Sequence, residues 1–173
     1  MVTKKLVLVS LFTALSLILA ITIYFPILPQ APYLLYDPGD IPLLVVALYI
    51  GIPEGLLATL IVAILMALII GQGGPIGALM HFIATGSLIS VAGYSYKKFR
   101  RLEIPLILGT ISMAIIMSIA NLIFTPIYLG VPVEQVLSLI LPVIIPFNLI
   151  KAGINSFLTY ILTKIVPFSS YLK

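Results

Sequence analysis

Three residues near the C-terminus, Asn148, Lys151 and Asn155, have the types and the spacing to do chemistry. They stand at i, i+3 and i+7, so a helix carries them on one face. The run around them, Leu141 to Asn155, is otherwise apolar and reads as membrane-embedded. Lys151 is the one charged residue that does not fall in or near a membrane-flanking loop. A lysine at membrane depth costs about 3 kcal/mol or more unless it snorkels or finds a partner, which makes it a functional-site candidate by default. An ammonium only donates hydrogen bonds, whereas an amide both donates and accepts. Such a set is suited to holding a polar solute.

Two more polar residues stand in apolar surroundings. Asn121 must satisfy its amide, either with another helix or with a ligand. His81 is expected near the start of a helix as a hydrogen-bonded structural histidine, with a ligand contact as the sharper reading. It is the only histidine and there is no cysteine, so multi-histidine sites, disulfides and thiolate metal sites are excluded within one chain. No metal cluster and no nucleophile–base pair can be assembled, which argues against an enzyme. No P-loop pattern is present, so ATP cannot be bound in that way. The apolar spans hold no carboxylate, so an acidic proton relay or sodium site is missing. The two halves show no repeat, which weakens a self-sufficient secondary transporter.

The composition fixes the setting. Of 173 residues 62% are hydrophobic and 8% charged, against about 25% charged in soluble domains. With a mean hydropathy of +1.29 this is an all-α integral membrane protein, expected as a single domain over residues 1–173. The net charge of +4 does not imply nucleic-acid binding, because the basic residues cluster at span ends. Lys4 and Lys5 before an apolar run resemble a signal peptide. The run from Leu6 to Phe25 is longer than a typical signal core, so it is expected to be the first span.

Six helices are expected, at about 4–25, 41–50, 53–70, 76–96, 104–128 and 136–165. The first carries two small-xxx-small pairs, Ser10/Ala14 and Ser16/Ala20, which allow close helix approach in lipid. Between the first two helices, the proline-rich loop 26–40 is unusually apolar at Tyr33, Leu34, Leu35 and Tyr36 and reads as a lid. Asp40 before Pro42 is expected to cap the short second helix, whose outer end this loop must cover. The turn from Gly71 to Pro75 separates the third and fourth helices. A break is expected near Thr125 and Pro126, and Pro142 and Pro146 interrupt the start of the last helix.

Both termini are expected to be cytoplasmic. That places eight of the nine basic residues inside (Lys4, Lys5, Lys97, Lys98, Arg100, Arg101, Lys164 and Lys173) and Asp37, Asp40 and Glu134 in outer loops. Lys151, Asn148, Asn121, His81 and the loop then converge on the outer half of the membrane. The expected feature is a polar-lined cavity, open outward and capped by an apolar loop, for a flat amphipathic solute. In the competing reading Lys151 is only paired, with Asp37, with Asp40, or with carbonyls freed by Pro142 and Pro146.

These residues resemble a known family. The stretches 26–42, 117–130 and 145–151 are similar to the substrate-binding S components of energy-coupling factor (ECF) transporters, most closely the riboflavin-specific member, and the resemblance covers nearly the whole chain. It implies a plasma-membrane protein of six helices that binds riboflavin from outside. Such a protein works with a transmembrane coupling protein and two cytoplasmic ATPases. It implies no cofactor beyond the transported ligand and no nucleic-acid partner. By this resemblance Asn121, Asn148 and Lys151 hydrogen-bond the flavin, Leu34 covers it, and Asp40 is the acidic residue before the second helix. Ser10 and Ala14 match the docking face. His81 stands where an asparagine is expected, and Pro38-Gly39 replaces a more usual aromatic-serine pair. Nothing in the resemblance asks for Asn155. The same fold selecting another vitamin or a flavin nucleotide, or a membrane scaffold with no transport role, are the alternatives.

Overall fold

The computed structural model describes residues 2–71 and 73–168. Lys173, counted among the expected cytoplasmic cations, lies outside them, as does Gln72 of the 71–75 turn. The fold is a helical bundle: α1 (Val2–Thr22), α2 (Asp40–Tyr49), α3 (Ile52–Ile69), α4 (Gly74–Phe99), α5 (Glu103–Leu129), α6 (Val133–Leu139) and α7 (Ile145–Ile165). A π-helical stretch, Ile140–Ile144, joins α6 to α7 without a break. Among the described residues five helical segments are long and apolar enough to cross a membrane, with the 33 residues from Val133 to Ile165 counting as one. The ten-residue α2 is a sixth, shorter apolar helix.

The bundle is apolar on its outside as well as within. Leu68, Leu141 and Ile165 are each more than 70% exposed. In water so large an apolar surface would aggregate, whereas in lipid it costs nothing. The interior is where polarity collects. The buried side of α7 carries Asn148, Lys151, Asn155, Ser156 and Thr159, with Ala152 among them. Close approach is made by small residues. A Cβ on Gly109 would stand 2.7 Å from the Leu88 carbonyl oxygen, so only glycine lets α5 lie this near α4.

The segment between α1 and α2 folds back into the bundle. Its prolines rule out helix, and two short strands pair instead. In this antiparallel pair β1 (Phe25–Pro26) sets Phe25 opposite Tyr36 of β2 (Leu35–Tyr36). The returning chain then presses on α1. Ser16 Oγ donates to the Gly39 carbonyl at 2.7 Å, and a Cβ on Gly39 would meet the Ala20 Cβ at 2.9 Å. The pair Ser16/Ala20 therefore serves contact within the chain. Ser10 and Ala14 face outward and are exposed.

Two sequence expectations are corrected here. Asp40 is not the cap of α2: Gly39 is, with no side-chain cap bond, and Asp40 is the first helical residue. Its carboxylate turns sideways to partners on α4 and α7, which it could not reach while bonding the amides of its own first turn. Secondly, α5 does not break at Thr125 and Pro126. It runs through Pro126 to Leu129, since a proline in the last turns removes one backbone bond and leaves the rest. Asp37 and Asp40 both turn into the bundle, as the folded-in course of the loop in the competing reading requires. Both bond to Asn155, which is the midpoint of α7. Two carboxylates thus reach mid-bundle depth, Asp37 from the loop and Asp40 from the first turn of α2.

Candidate functional site

A cavity lies between the loop, α3, α4, α5 and the start of α7. It measures about 160 Å³, room for on the order of ten waters and far more than one ion needs. Five of the expected site residues line it: Leu34, His81, Asn121, Asn148 and Lys151. Asp40 does not. Ser10 and Ala14 are on the opposite, outer side of α1.

Each amide is anchored by its own helix. Asn121 donates from Nδ2 to the Met117 carbonyl and accepts from Thr125 Oγ1, both at 2.7 Å. Asn148 donates to the Ile144 carbonyl at 2.8 Å. Each amide has four hydrogen-bonding positions, so each keeps at least one donor and one acceptor position for a ligand. These intrahelical bonds fix rotamers and present the remaining polar edge to the cavity.

Lys151 donates to Asp37 Oδ2 at 2.5 Å, with both side chains less than 10% exposed. The competing reading, in which the lysine is paired with the folded-in loop, therefore holds as far as the pairing goes. It does not displace the first, because Lys151 and Asp37 both line the cavity. Burial pushes the Asp37 carboxyl up, but the Lys151 ammonium beside it more than offsets this and holds it below the usual carboxylate range.

His81 departs from its expected structural role. Its Nε2 is the one buried side-chain polar atom without a hydrogen-bond partner among the described residues. A buried polar atom left unpaired costs free energy and calls for an explanation. Here the explanation is at hand, since His81 is part of the cavity wall.

Sequence reasoning missed the apolar wall and the floor. Met66, Met80, Met113 and Met117 all line the cavity, together with Phe147. Thioethers are polarizable and adaptable, suited to a planar aromatic face. Beneath the cavity Asn155 is fully buried. It accepts from the Tyr36 hydroxyl and donates to the Asp37 carbonyl and to Asp40 Oδ2, each at 3.0 Å. Thr85 Oγ1 donates to the other Asp40 oxygen at 2.6 Å. The spacing 148, 151, 155 pointed to Asn155, and its role proves to be holding the loop. The four methionines had no such signal, because in a chain this apolar they look like any lipid-facing residue.

The arrangement brings an ammonium, two amides, four thioethers and an aromatic ring around one cavity, with Tyr33, Leu34 and Leu35 of the loop in its lining. It can bind a solute that combines an apolar ring with carbonyl or ring-nitrogen acceptors. Comparison with known proteins agrees with that chemistry. The family model "ECF transporter, substrate-specific component" matches residues 4–163. The riboflavin transporter RibU of Staphylococcus aureus is 33% identical, over 98% of this chain and 93% of that protein. The riboflavin transporter FmnP of Bacillus subtilis is 33% identical over 87% of this chain and 85% of its own length. RibU of Lactococcus lactis is 27% identical over 97% of this chain. Among solved structures, the S component of a bacterial ECF transporter superposes with a TM-score of 0.84 and 31% identity, covering 100% of this chain and 99% of that one.

Proposed function

The chain belongs to the substrate-specific components of ECF transporters, and on that premise we propose that it is the riboflavin-binding subunit, with the cavity under loop 23–39 as its binding site. The observation that carries the reading is the cavity lining. Lys151, Asn148 and Asn121 supply donors for the carbonyl and ring-nitrogen acceptors of an isoalloxazine. The methionines and Phe147 give its dimethylbenzene end an apolar wall. Leu34 covers the ring from the loop, and the unpaired His81 Nε2 takes a polar atom of the ligand. Asp40 supports the site from below through Asn155 and Thr85.

In the cell the chain sits in the plasma membrane with both termini cytoplasmic, and the loop acts as a lid on the outer side. The asymmetry of Lys and Arg supports this orientation. Transport is energised by a transmembrane coupling protein with two ATPases, which dock on the exposed small-residue face of α1 at Ser10 and Ala14.

Native mass spectrometry and the visible spectrum of the purified chain test the ligand. A co-purifying flavin, or quenching of added riboflavin fluorescence at stoichiometric protein, is the expected result. Colourless protein that leaves riboflavin fluorescence unchanged would refute it. Flavin mononucleotide in the same titration separates a riboflavin site from a flavin nucleotide site.

A further inference from the structure

The geometry points to Asp37 as the positioning residue of the ligand site: a carboxylate carried in by the loop that fixes where the Lys151 ammonium points. The inference rests on the reading of the cavity as the riboflavin site, and it concerns how that site is assembled.

Three observations carry it. First, Lys151 Nζ donates to Asp37 Oδ2 at 2.5 Å, and an ammonium has three N–H groups, so the pair leaves donors for the cavity that both residues line. Second, Asp37 is itself held rigidly. The Gly39 amide donates to its Oδ1 at 3.0 Å, and Asn155 donates to its backbone carbonyl at 3.0 Å. Third, Lys151 and Asn155 lie one turn apart on the same buried face of α7. One helix therefore grips Asp37 by its carboxylate and by its carbonyl.

A lysine on a four-carbon stem has many rotamers, and the cavity would otherwise leave its head free to choose among them. With Asp37 in place the head has one direction. The charge is also balanced before any ligand arrives, so the site presents a polarised donor without demanding an anion. That fits a neutral heterocycle with carbonyl acceptors. It also makes the cationic contact depend on the loop: without the inward fold of residues 23–39, Lys151 has no oriented partner. In a rigid α7 with a solvated loop, Asp37 would contribute nothing to the site.

A double-mutant cycle on the full-length purified chain, read by quenching of riboflavin fluorescence, tests this. Asp37→Asn is expected to weaken binding by roughly tenfold, as loss of an oriented charged hydrogen bond does. Lys151→Met is expected to weaken it at least as much. The double variant should bind within about twofold of Lys151→Met alone, because Asp37 acts through the lysine. At saturating riboflavin, the bound-flavin absorption band of Asp37→Asn should move toward that of Lys151→Met, a shift that a role only in folding the loop would not produce.

Wild-type affinity and band in Asp37→Asn, with Lys151→Met impaired, would overturn the positioning role and leave the binding site standing. So would an equal loss from Asp37→Asn in both backgrounds. Wild-type affinity in Lys151→Met would remove the lysine from the ligand and overturn the positioning role, whereas wild-type protein that leaves riboflavin fluorescence unquenched would overturn the binding site itself. If Asp37→Asn fails to fold around its unpaired lysine, the double variant, which leaves neither member of the pair as a lone charge, decides against Lys151→Met: equal affinity upholds the proposal and a further loss overturns it.

Discussion

Lys151 and Asn155, one helical turn apart on α7, hold the same loop residue from two sides. Lys151 binds the Asp37 carboxylate at 2.5 Å and Asn155 binds its backbone carbonyl at 3.0 Å. The wall of the cavity and the anchor of its cover are thereby one helix face, and a change at either residue is felt by the loop.

Lys151→Met should weaken riboflavin binding by about 1 to 3 kcal/mol, the cost of leaving a polar ligand group unpaired. It should also lower the melting temperature, because Asp37 is left as a buried charge without its partner. A fluorescence titration and a thermal unfolding curve check the two effects separately. An unaltered affinity in the folded variant would take Lys151 out of the site.

Asn155→Leu should cost stability rather than chemistry. It removes the partner of the Tyr36 hydroxyl, of the Asp37 carbonyl and of one Asp40 oxygen. Buried groups left unpaired at roughly 1 to 3 kcal/mol each, with partial relaxation, give a loss of about 2 to 5 kcal/mol. Faster hydrogen exchange or proteolysis within residues 23–39 would report it. Wild-type protection of that segment would contradict the anchor.

His81→Leu tests the unpaired nitrogen in both directions. Removing a buried atom that lacks a partner should raise the melting temperature of the ligand-free chain, by about 1 kcal/mol of stability. The same change should weaken riboflavin binding several-fold. A stabilised variant with undiminished affinity would show that the nitrogen does not meet the ligand.

Ser10→Trp and Ala14→Trp should leave riboflavin affinity within about twofold of wild type, because both positions are exposed on the outer side of α1. Co-purification with the coupling protein and ATPases should be lost. Loss of riboflavin binding itself would contradict the assignment of that face.

The pH dependence follows from the Asp37–Lys151 pair. Asp37 is held below the usual carboxylate range in the fold, whereas an unfolded aspartate titrates near ~3.9. The carboxylate's contribution to stability is therefore complete above about pH 5 and is lost as the pH falls through the lower folded value. The difference in melting temperature between wild type and Asp37→Asn/Lys151→Met should be constant from about pH 5 to 8 and shrink below that window. A difference that already shrinks from about pH 8 to 6 would contradict the pair's role.

Much of this architecture is legible in the residues, for particular physical reasons. The spans follow from hydropathy, the short α2 from Pro53 and Gly51, and Lys151 from the cost of a charge in lipid. What stayed hidden depends on where the loop goes. Nothing in Tyr36, Asp37 or Asp40 states that their segment turns inward. The decisive contacts join residues more than a hundred positions apart. Asp40 has the local form of a cap, and its partners Thr85 and Asn155 override that form. Asn155 was visible by its spacing, but its function depends on a loop whose course no helical periodicity encodes.

The π-helical stretch Ile140–Ile144 has a consequence of its own. A π turn accommodates one extra residue, so it delays the helix by about 100°. Val136 on α6 is fully buried, and Asn148 follows twelve positions later. In an uninterrupted α-helix the two would differ by about 120° in azimuth, whereas with the extra residue they differ by about 20°. The wide turn works as a phase adjuster: it lets a single long helix keep α6 packed and still aim its polar stripe at the cavity. Straightening this stretch to regular α-helix at the same length would turn Asn148, Lys151 and Asn155 about 100° out of alignment together, whereas deleting one residue between 140 and 144 would absorb the bulge and keep them aimed at the cavity.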